Sequence, residues 1–233
     1  AFFKNITDLE LYTNTYTLSP SYSDYVSDNY TTYSNTHANN NMIRGNVTPS
    51  TCGGWGDWGT LRKYNIFLDN VHKASGSPEK IAHYIGLTRL MRARWYYEQV
   101  KWYNTLPWYS HALTDTDMEM LYKSRDSREL VVDSIMADLD YASANVSVDM
   151  GNRTIMSKWY ALATQARICL HEGTYRKYHD ELNLQNTATR FLEKAAEAAS
   201  KVMESGLFEI DKTGGTDVAY QRLFTGYSLD KSK

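Results

Sequence analysis

Proline and cysteine are scarce in this sequence of 233 residues, which contains 4 prolines and 2 cysteines. Few prolines leave long stretches free to form helices, because proline disrupts a helix interior. Two cysteines are too few for a disulfide-rich scaffold or a thiolate zinc cluster. Whether Cys52 and Cys169 pair with each other is left open by the sequence. No apolar run is long enough to cross a bilayer.

A basic excess is also missing, since 25 Lys and Arg stand against 27 Asp and Glu, for a formal net charge of −2. Nucleic-acid-binding domains normally carry a basic surplus, so no nucleic-acid partner is expected. Aromatic residues, in contrast, are abundant, with 19 Tyr and 6 Trp. This abundance is typical of thick helix packing or of a binding surface for flat ligands.

The first sixty residues differ from the rest, because Thr, Asn, Ser and Tyr make up half of them. One helix is predicted over residues 7–18, with Asn5 or Thr7 as its N-cap. The stretch that follows, up to residue 55, shows no sustained period. A polar loop of this length inside a folded domain is uncommon and often functional.

From residue 57 onward, apolar residues recur at helical spacing. Five further helices are predicted, over residues 57–73, 77–104, 126–145, 154–173 and 186–205. Residues 207–210 are predicted to form a short strand, and the tail after them is predicted to be irregular. Successive helices of this length indicate an all-α solenoid of helix pairs, although no clean 34-residue repeat is present.

A glycine-rich motif, GWGDWG, occupies residues 54–59. It matches G-x-G-x-x-G, but no buried strand precedes it, so a dinucleotide site is disfavoured. Two interpretations remain open. Trp55 and Trp58 either form a stacking platform for sugar faces or pack the start of the helix into the core.

Candidate metal and catalytic groups are few. His171-Glu172 and His179-Asp180-Glu181 lack a one-face i, i+4 pair, and Gly173 favours a solvated helix end there. No nucleophile-elbow, zincin or C-x-x-C motif is present. Neither a cofactor nor a metal is expected. A pair of glycosidase carboxylates needs no fixed spacing, so that alternative stays open.

Aromatic residues also cluster near the end of the second long predicted helix, and we expect them to pack helices rather than to bind ligand. They are Tyr96, Tyr97, Trp102, Tyr103, Trp108 and Tyr109. Arg92 and Arg167 lie on apolar helices and are predicted to be structural cations. We expect each to pair with carboxylates, for which Asp138 and Asp140 are candidates, or with helix-end carbonyls.

Several segments, in order along nearly the whole chain, resemble the SusD/RagB family of outer-membrane nutrient-binding lipoproteins. The most similar is YIGLTRLMRA at residues 84–93, followed by a Tyr-Tyr pair and by YNTLPW at residues 103–108. The other segments are FFKNITDLELYTNTY (2–16), WGTLRKYNIFL (58–68), RDSRELV (125–131), IMADLDYA (135–142) and residues 152–170.

The resemblance implies a tetratricopeptide-like, mainly α-helical fold with long irregular loops. It implies that residues 1–233 are the N-terminal part of one SusD-like domain, with a ligand-side loop at 19–58 and a helical core at 57–206. The missing half, or the barrel transporter, is expected to cover the alanine-rich face of the fifth long helix (Ala195, Ala196, Ala198 and Ala199). Expressed alone, the chain is therefore expected to be incomplete as a functional unit.

The resemblance also implies a non-enzymatic protein of the Bacteroidetes-type cell surface. It would be held at the outer membrane by a lipid anchor upstream of Ala1 and would pass oligosaccharides, or peptides, to a SusC-like TonB-dependent transporter. Candidate ligand-binding residues are Trp55, Trp58, Asp28, Asn41 and Arg44. The alternative is a helical-repeat module that binds only other proteins.

Overall fold

The structure is a computed structural model that describes residues 2–16, 45–48, 50–51, 57–148, 155–212 and 214–225. Eight α-helices lie in these ranges. They are α1 (Ile6–Thr13), α2 (Trp58–Asn70), α3 (Pro78–Tyr103), α4 (Met118–Leu121), α5 (Arg128–Asn145), α6 (Lys158–Tyr178), α7 (Ala188–Glu204) and α8 (Thr216–Thr225). Single 3₁₀ turns occupy Val71–Lys73, Asp180–Leu182 and Gln185–Thr187. The predicted all-α class is confirmed.

Helix starts follow capping chemistry. The side chain of Asn5 accepts a hydrogen bond from the Asp8 amide, so Asn5 rather than Thr7 caps α1. Asp57 caps α2 through the Gly59 amide at 2.9 Å. Helix α5, predicted to start at residue 126, starts at Arg128, and the side chain of Ser127 caps it by accepting from the amide of Leu130.

Other predicted boundaries are also wrong. Within the described residues, 207–210 form no strand, and the tail predicted to be irregular contains α8. The helix predicted to end at Gly173 continues to Tyr178. Gly173 is buried there and does not stop the helix, which means that its role is packing.

The helices form successive packed layers around α3, the longest of them. Helix α3 packs against α5, α5 against α6, and α6 against α7, while α1 and α2 also pack on α3. One continuous core cluster joins α2, α3, α5, α6 and α7. A second, smaller cluster ties α1 to α2 through Phe3, Leu9, Phe67 and Val71. This layered order presents the start of α2 and the loop after α3 next to one another.

The alanine-rich face of α7 is largely covered within this chain. Ala195 and Ala198 are buried, Ala199 is half-buried and only Ala196 is exposed. Helix α6 packs closely along α7. The expectation that a missing half or a transporter must cover this face was therefore wrong, because α6 already covers most of it.

Close approach of α6 and α7 depends on Gly173. We expect Gly173→Ala to lower the free energy of unfolding by about 1–3 kcal/mol, the usual cost of overpacking a core. The new Cβ would lie 2.7 Å from Leu192 Cδ2 and 3.1 Å from the Leu192 backbone nitrogen. Urea unfolding followed by circular dichroism measures the change.

A double-mutant cycle controls this prediction. Leu192→Ala in the Gly173→Ala background removes the side-chain atoms nearest the new Cβ, so it should restore part of the lost stability. Strictly additive effects of the two changes would contradict a steric origin.

Asp138 lies at the centre of the first buried ion-pair cluster, which joins α3 to α5. Its carboxylate accepts from Arg92 Nε at 2.7 Å, from Arg92 Nη2 at 2.9 Å and from Arg89 Nε at 2.6 Å. Arg92 and Asp138 are both buried. The predicted pairing of Arg92 with Asp138 is confirmed. The same prediction for Arg167 was wrong, since Arg167 is exposed. Asp140, the other candidate carboxylate, accepts a hydrogen bond from Gln165 and pairs with Lys194.

Glu172 is the centre of a second cluster, between α5 and α6, and it is fully buried. It accepts from Arg128 Nη2 at 2.6 Å and from Arg176 Nε at 2.7 Å. Arg176 is also fully buried, and its Nη1 donates to Thr187 Oγ1. The predicted solvated helix end at residues 171–173 was therefore wrong for Glu172, which holds two guanidinium groups inside the protein.

Candidate functional site

A cavity of about 710 Å³ lies between the start of α2 and the loop that follows α3. Its apolar lining comes from Trp58, Leu61, Tyr109, Ala112, Leu113 and Leu121, and its polar lining from Arg62, Asn65, His111, Thr114 and Asp115. Aromatic and aliphatic walls with a few polar groups are typical of small-molecule sites. This cavity is the candidate functional site.

Trp58 forms one aromatic wall of the cavity. It is the first residue of α2, directly after the Asp57 cap. The hydrogen bond from Thr60 Oγ1, at 2.6 Å, is the main reason that the pKa of Asp57 is lowered. The Trp58 ring meets the Trp95 ring edge to face at 5.1 Å between centroids and the Tyr109 ring at 5.7 Å. These contacts fix the orientation of the indole at the cavity surface.

The opposite wall is the loop after α3, and its path begins at Asn104. Asn104 adopts a positive φ of 62°, which ends α3, and its side chain accepts from Arg128 Nη1 at 3.0 Å. The loop then pairs with residues before α5, because the Asp126 amide donates to the Leu106 carbonyl at 3.3 Å. Trp108 stacks on the Tyr96 ring at 4.2 Å between centroids. The next residue, Tyr109, is thereby directed to the cavity wall.

Main-chain atoms of this loop are held by side chains of α2 and α3. Tyr96 Oη accepts from the Tyr109 amide at 2.6 Å. Burial raises the pKa of Tyr96, so its phenol stays protonated. Asp69 accepts from the Ala112 amide at 2.8 Å and from His111 Nδ1 at 2.7 Å. The loop wall is therefore anchored to both α2 and α3.

Two charged side chains at the cavity can form hydrogen bonds with a ligand, one as a donor and one as an acceptor. Arg62 is exposed, and its Nε donates to the Leu113 carbonyl at 3.4 Å. Its two Nη groups make no hydrogen bond within the described ranges. Asp115 is exposed as well. Together they offer the donor and acceptor groups that hydroxyl-bearing ligands need.

Of the predicted ligand-binding residues, the structure places Trp58 at the cavity. Asp28, Asn41, Arg44 and Trp55 lie outside the described residues, as do Cys52 and most of the loop 19–58, so these predictions remain predictions. No group of three or more His, Cys, Asp or Glu side chains that could hold a metal ion occurs among the described residues. No helix in the described part is long and apolar enough to span a membrane.

Sequence reasoning missed Tyr109, Arg62, His111 and Asp115. Tyr109 belongs to the aromatic run that we assigned to packing, and Trp102 from the same run is 61% exposed on α3. The one usable signal was Pro107, since a residue just after a helix-ending proline often lies in a loop. Nothing in the local pattern distinguishes Arg62 from any other exposed helix cation.

Comparison with solved structures shows which fold this is. A SusD-like carbohydrate-binding protein of Bacteroides fragilis NCTC 9343 superposes with a TM-score of 0.72 and 19% identity, over 95% of this chain and 44% of that one. A second SusD-like protein of the same strain gives a TM-score of 0.66 at 19% identity, covering 95% of this chain and 42% of that one. A laminarin-binding SusD-like protein gives 0.65 at 16% identity, covering 86% and 44%.

The chain therefore has the SusD-like fold, as the sequence resemblance predicted, and its tetratricopeptide-like class is confirmed with it. It spans less than half the length of these similar proteins. No family model and no curated protein matches the sequence.

Proposed function

We propose that this protein binds oligosaccharides and that the cavity at Trp58 supplies part of the ligand site. The observation that carries the proposal is the aromatic cavity between α2 and the loop after α3, in a fold whose similar structures include carbohydrate-binding and laminarin-binding proteins. The predicted residues Asp28, Asn41, Arg44 and Trp55 are proposed to complete the site from the loop 19–58.

The chemistry of the cavity suits sugars. Pyranose rings expose patches of C–H bonds, which pack on the faces of aromatic rings such as Trp58 and Tyr109. Their hydroxyls both donate and accept, so Arg62 can donate to them and Asp115 can accept from them. A site built from one or two stacking contacts and a few hydrogen bonds binds weakly and releases its ligand quickly.

Fast release fits the further proposal that the ligand is passed on. We propose a non-enzymatic, lipid-anchored protein of the outer membrane that delivers oligosaccharides to a SusC-like TonB-dependent transporter. Co-purification of the full-length protein with such a transporter from membranes tests delivery. Recovery of the protein from the soluble fraction, with no barrel partner, would contradict it.

Trp58→Ala is expected to weaken oligosaccharide binding by about 1–3 kcal/mol, the scale of one lost aromatic contact. That loss corresponds to about a 5- to 150-fold increase in Kd. The measurement is isothermal titration calorimetry of the full-length protein. Its ligand is the best one found in a screen that includes laminarin oligosaccharides, other neutral and acidic glycans, and peptides.

Trp102→Ala is the matched control, because Trp102 is exposed on α3 and does not line the cavity. The Trp102→Ala variant should bind the oligosaccharide with the same affinity as the unmodified protein. If both tryptophan variants have an intact melting transition and bind with equal affinity, Trp58 is not part of the ligand site. Binding of peptides but of no glycan would replace the proposed ligand class.

A further inference from the structure

We propose that Asn65 is a positioning residue of the cavity. It holds the loop after α3, which forms one cavity wall, in position and need not contact the ligand itself. This inference rests on the proposed function, since it assigns a role within the proposed oligosaccharide site. It concerns α2, where Asn65 is 1% exposed in the middle of an otherwise ordinary helix.

The Asn65 amide uses both of its donor hydrogens on the loop. Its Nδ2 donates to the Tyr109 carbonyl at 2.9 Å and to the His111 carbonyl at 3.0 Å. These two residues line the cavity. The carbonyl of the residue between them, Ser110, accepts a hydrogen bond from Arg92 Nη1 at 3.2 Å. Three consecutive carbonyls of the wall are therefore held by side chains of α2 and α3.

The orientation of the Asn65 amide is determined by its other neighbour. Asn65 Oδ1 accepts from Arg92 Nη1 at 3.0 Å. A guanidinium can only donate, so the amide oxygen must face Arg92 and the amide NH₂ must face the loop. Arg92 is fixed in turn by its paired contacts with Asp138. A continuous series of hydrogen bonds therefore runs from α5 through α3 and α2 to the wall, and it is buried as far as Asn65.

No other common side chain of this size meets these requirements. Aspartate would keep the contact with Arg92 but would place carboxylate oxygens against the two carbonyls. Leucine would remove the donor to the His111 carbonyl and the acceptor for one Arg92 N–H, and would leave the Tyr109 carbonyl only the 3.5 Å contact from Tyr96 Oη. Because a displacement of about 1 Å is enough to spoil a binding geometry, the identity of residue 65 should govern affinity through the wall.

The test compares Asn65→Asp with the unmodified full-length protein in two measurements. Hydrogen exchange of the peptide spanning residues 105–115, without ligand, should be about tenfold faster in the variant, because the wall loses two of its anchors. Kd for the oligosaccharide selected in the screen should rise about tenfold or more. If Asn65→Asp fails to fold, Asn65→Ser takes its place, since a hydroxyl can donate to only one carbonyl.

Two controls separate positioning from simple loss of stability. Asn70→Asp removes an amide donor to a backbone carbonyl, that of Ile66, on the same helix but away from the cavity. Gly173→Ala destabilises the contact between α6 and α7, helices that contribute no residue to the cavity lining. Both should leave exchange at 105–115 and the Kd unchanged under conditions in which they remain folded.

The outcomes are distinguishable. Unchanged exchange at 105–115 in Asn65→Asp overturns the positioning role, whatever happens to affinity. Faster exchange with unchanged Kd also overturns it, because the wall then does not govern binding. If the unmodified protein binds no glycan while the exchange difference is present, the proposed function fails and the anchoring of the wall by Asn65 stands.

Discussion

Glu172→Gln is expected to lower the free energy of unfolding by about 3–5 kcal/mol, the usual effect of breaking a buried ion pair from one side. Glu172 and Arg176 are fully buried, and Arg128 is nearly so. Within the described residues, Arg176 Nη2 has no hydrogen-bond partner even with Glu172 present. Removing the one carboxylate that both guanidinium groups share leaves two buried cations without compensation.

Chemical denaturation of the full-length protein measures this loss. Glu197→Gln is the control, because Glu197 forms an exposed pair with Lys201 on α7 and should leave the unfolding midpoint unchanged. A Glu172→Gln variant that unfolds at the same denaturant concentration as the control would show that water or rearrangement compensates both cations.

Asp138→Asn should have the next largest effect, about 2–4 kcal/mol less free energy of unfolding. Asp138 shares its two oxygens between Arg92 and Arg89, but Arg89 is partly exposed, so solvent compensates part of the loss. Because Arg92 also orients Asn65, oligosaccharide affinity should fall together with stability.

Asp133→Asn controls this change on the same helix. Asp133 pairs with Arg190, and both side chains are about half exposed. Its loss should shift the free energy of unfolding by less than about 0.5 kcal/mol and leave affinity unchanged. If the Asp138→Asn variant is less stable and yet binds oligosaccharide with normal affinity, Asp138 does not influence the cavity wall.

Local sequence patterns predicted the helices well and their partners poorly. Ser77-Pro78 marks the start of α3 and Gly206 follows α7, since caps and breakers act within a few residues. Glu172 and Gly173 were misassigned for a different reason. A carboxylate next to a glycine resembles a helix end locally, and only the packing of α5 and α7 shows that both are buried.

The candidate site was predictable only in part. Trp58 was identified because it follows a glycine-rich turn, which is a local signal. Asn65 and Tyr109 meet across 44 positions in sequence, a pairing that no helical or strand period encodes. Arg92 was recognised as a paired cation because a guanidinium on an apolar helix needs a partner. Its second role, holding Asn65, depends on three helices at once.

The loop after α3 is held mainly by its backbone. Bonds from Asn65, Arg92, Tyr96 and Asp69 all end on main-chain atoms of residues 109–112. Side chains at positions such as 110 and 113–115 can therefore change while the path of the chain is retained. This wall is suited to diversification, by natural selection or by library design, because altered ligand preference at these positions need not disturb the scaffold that supports them.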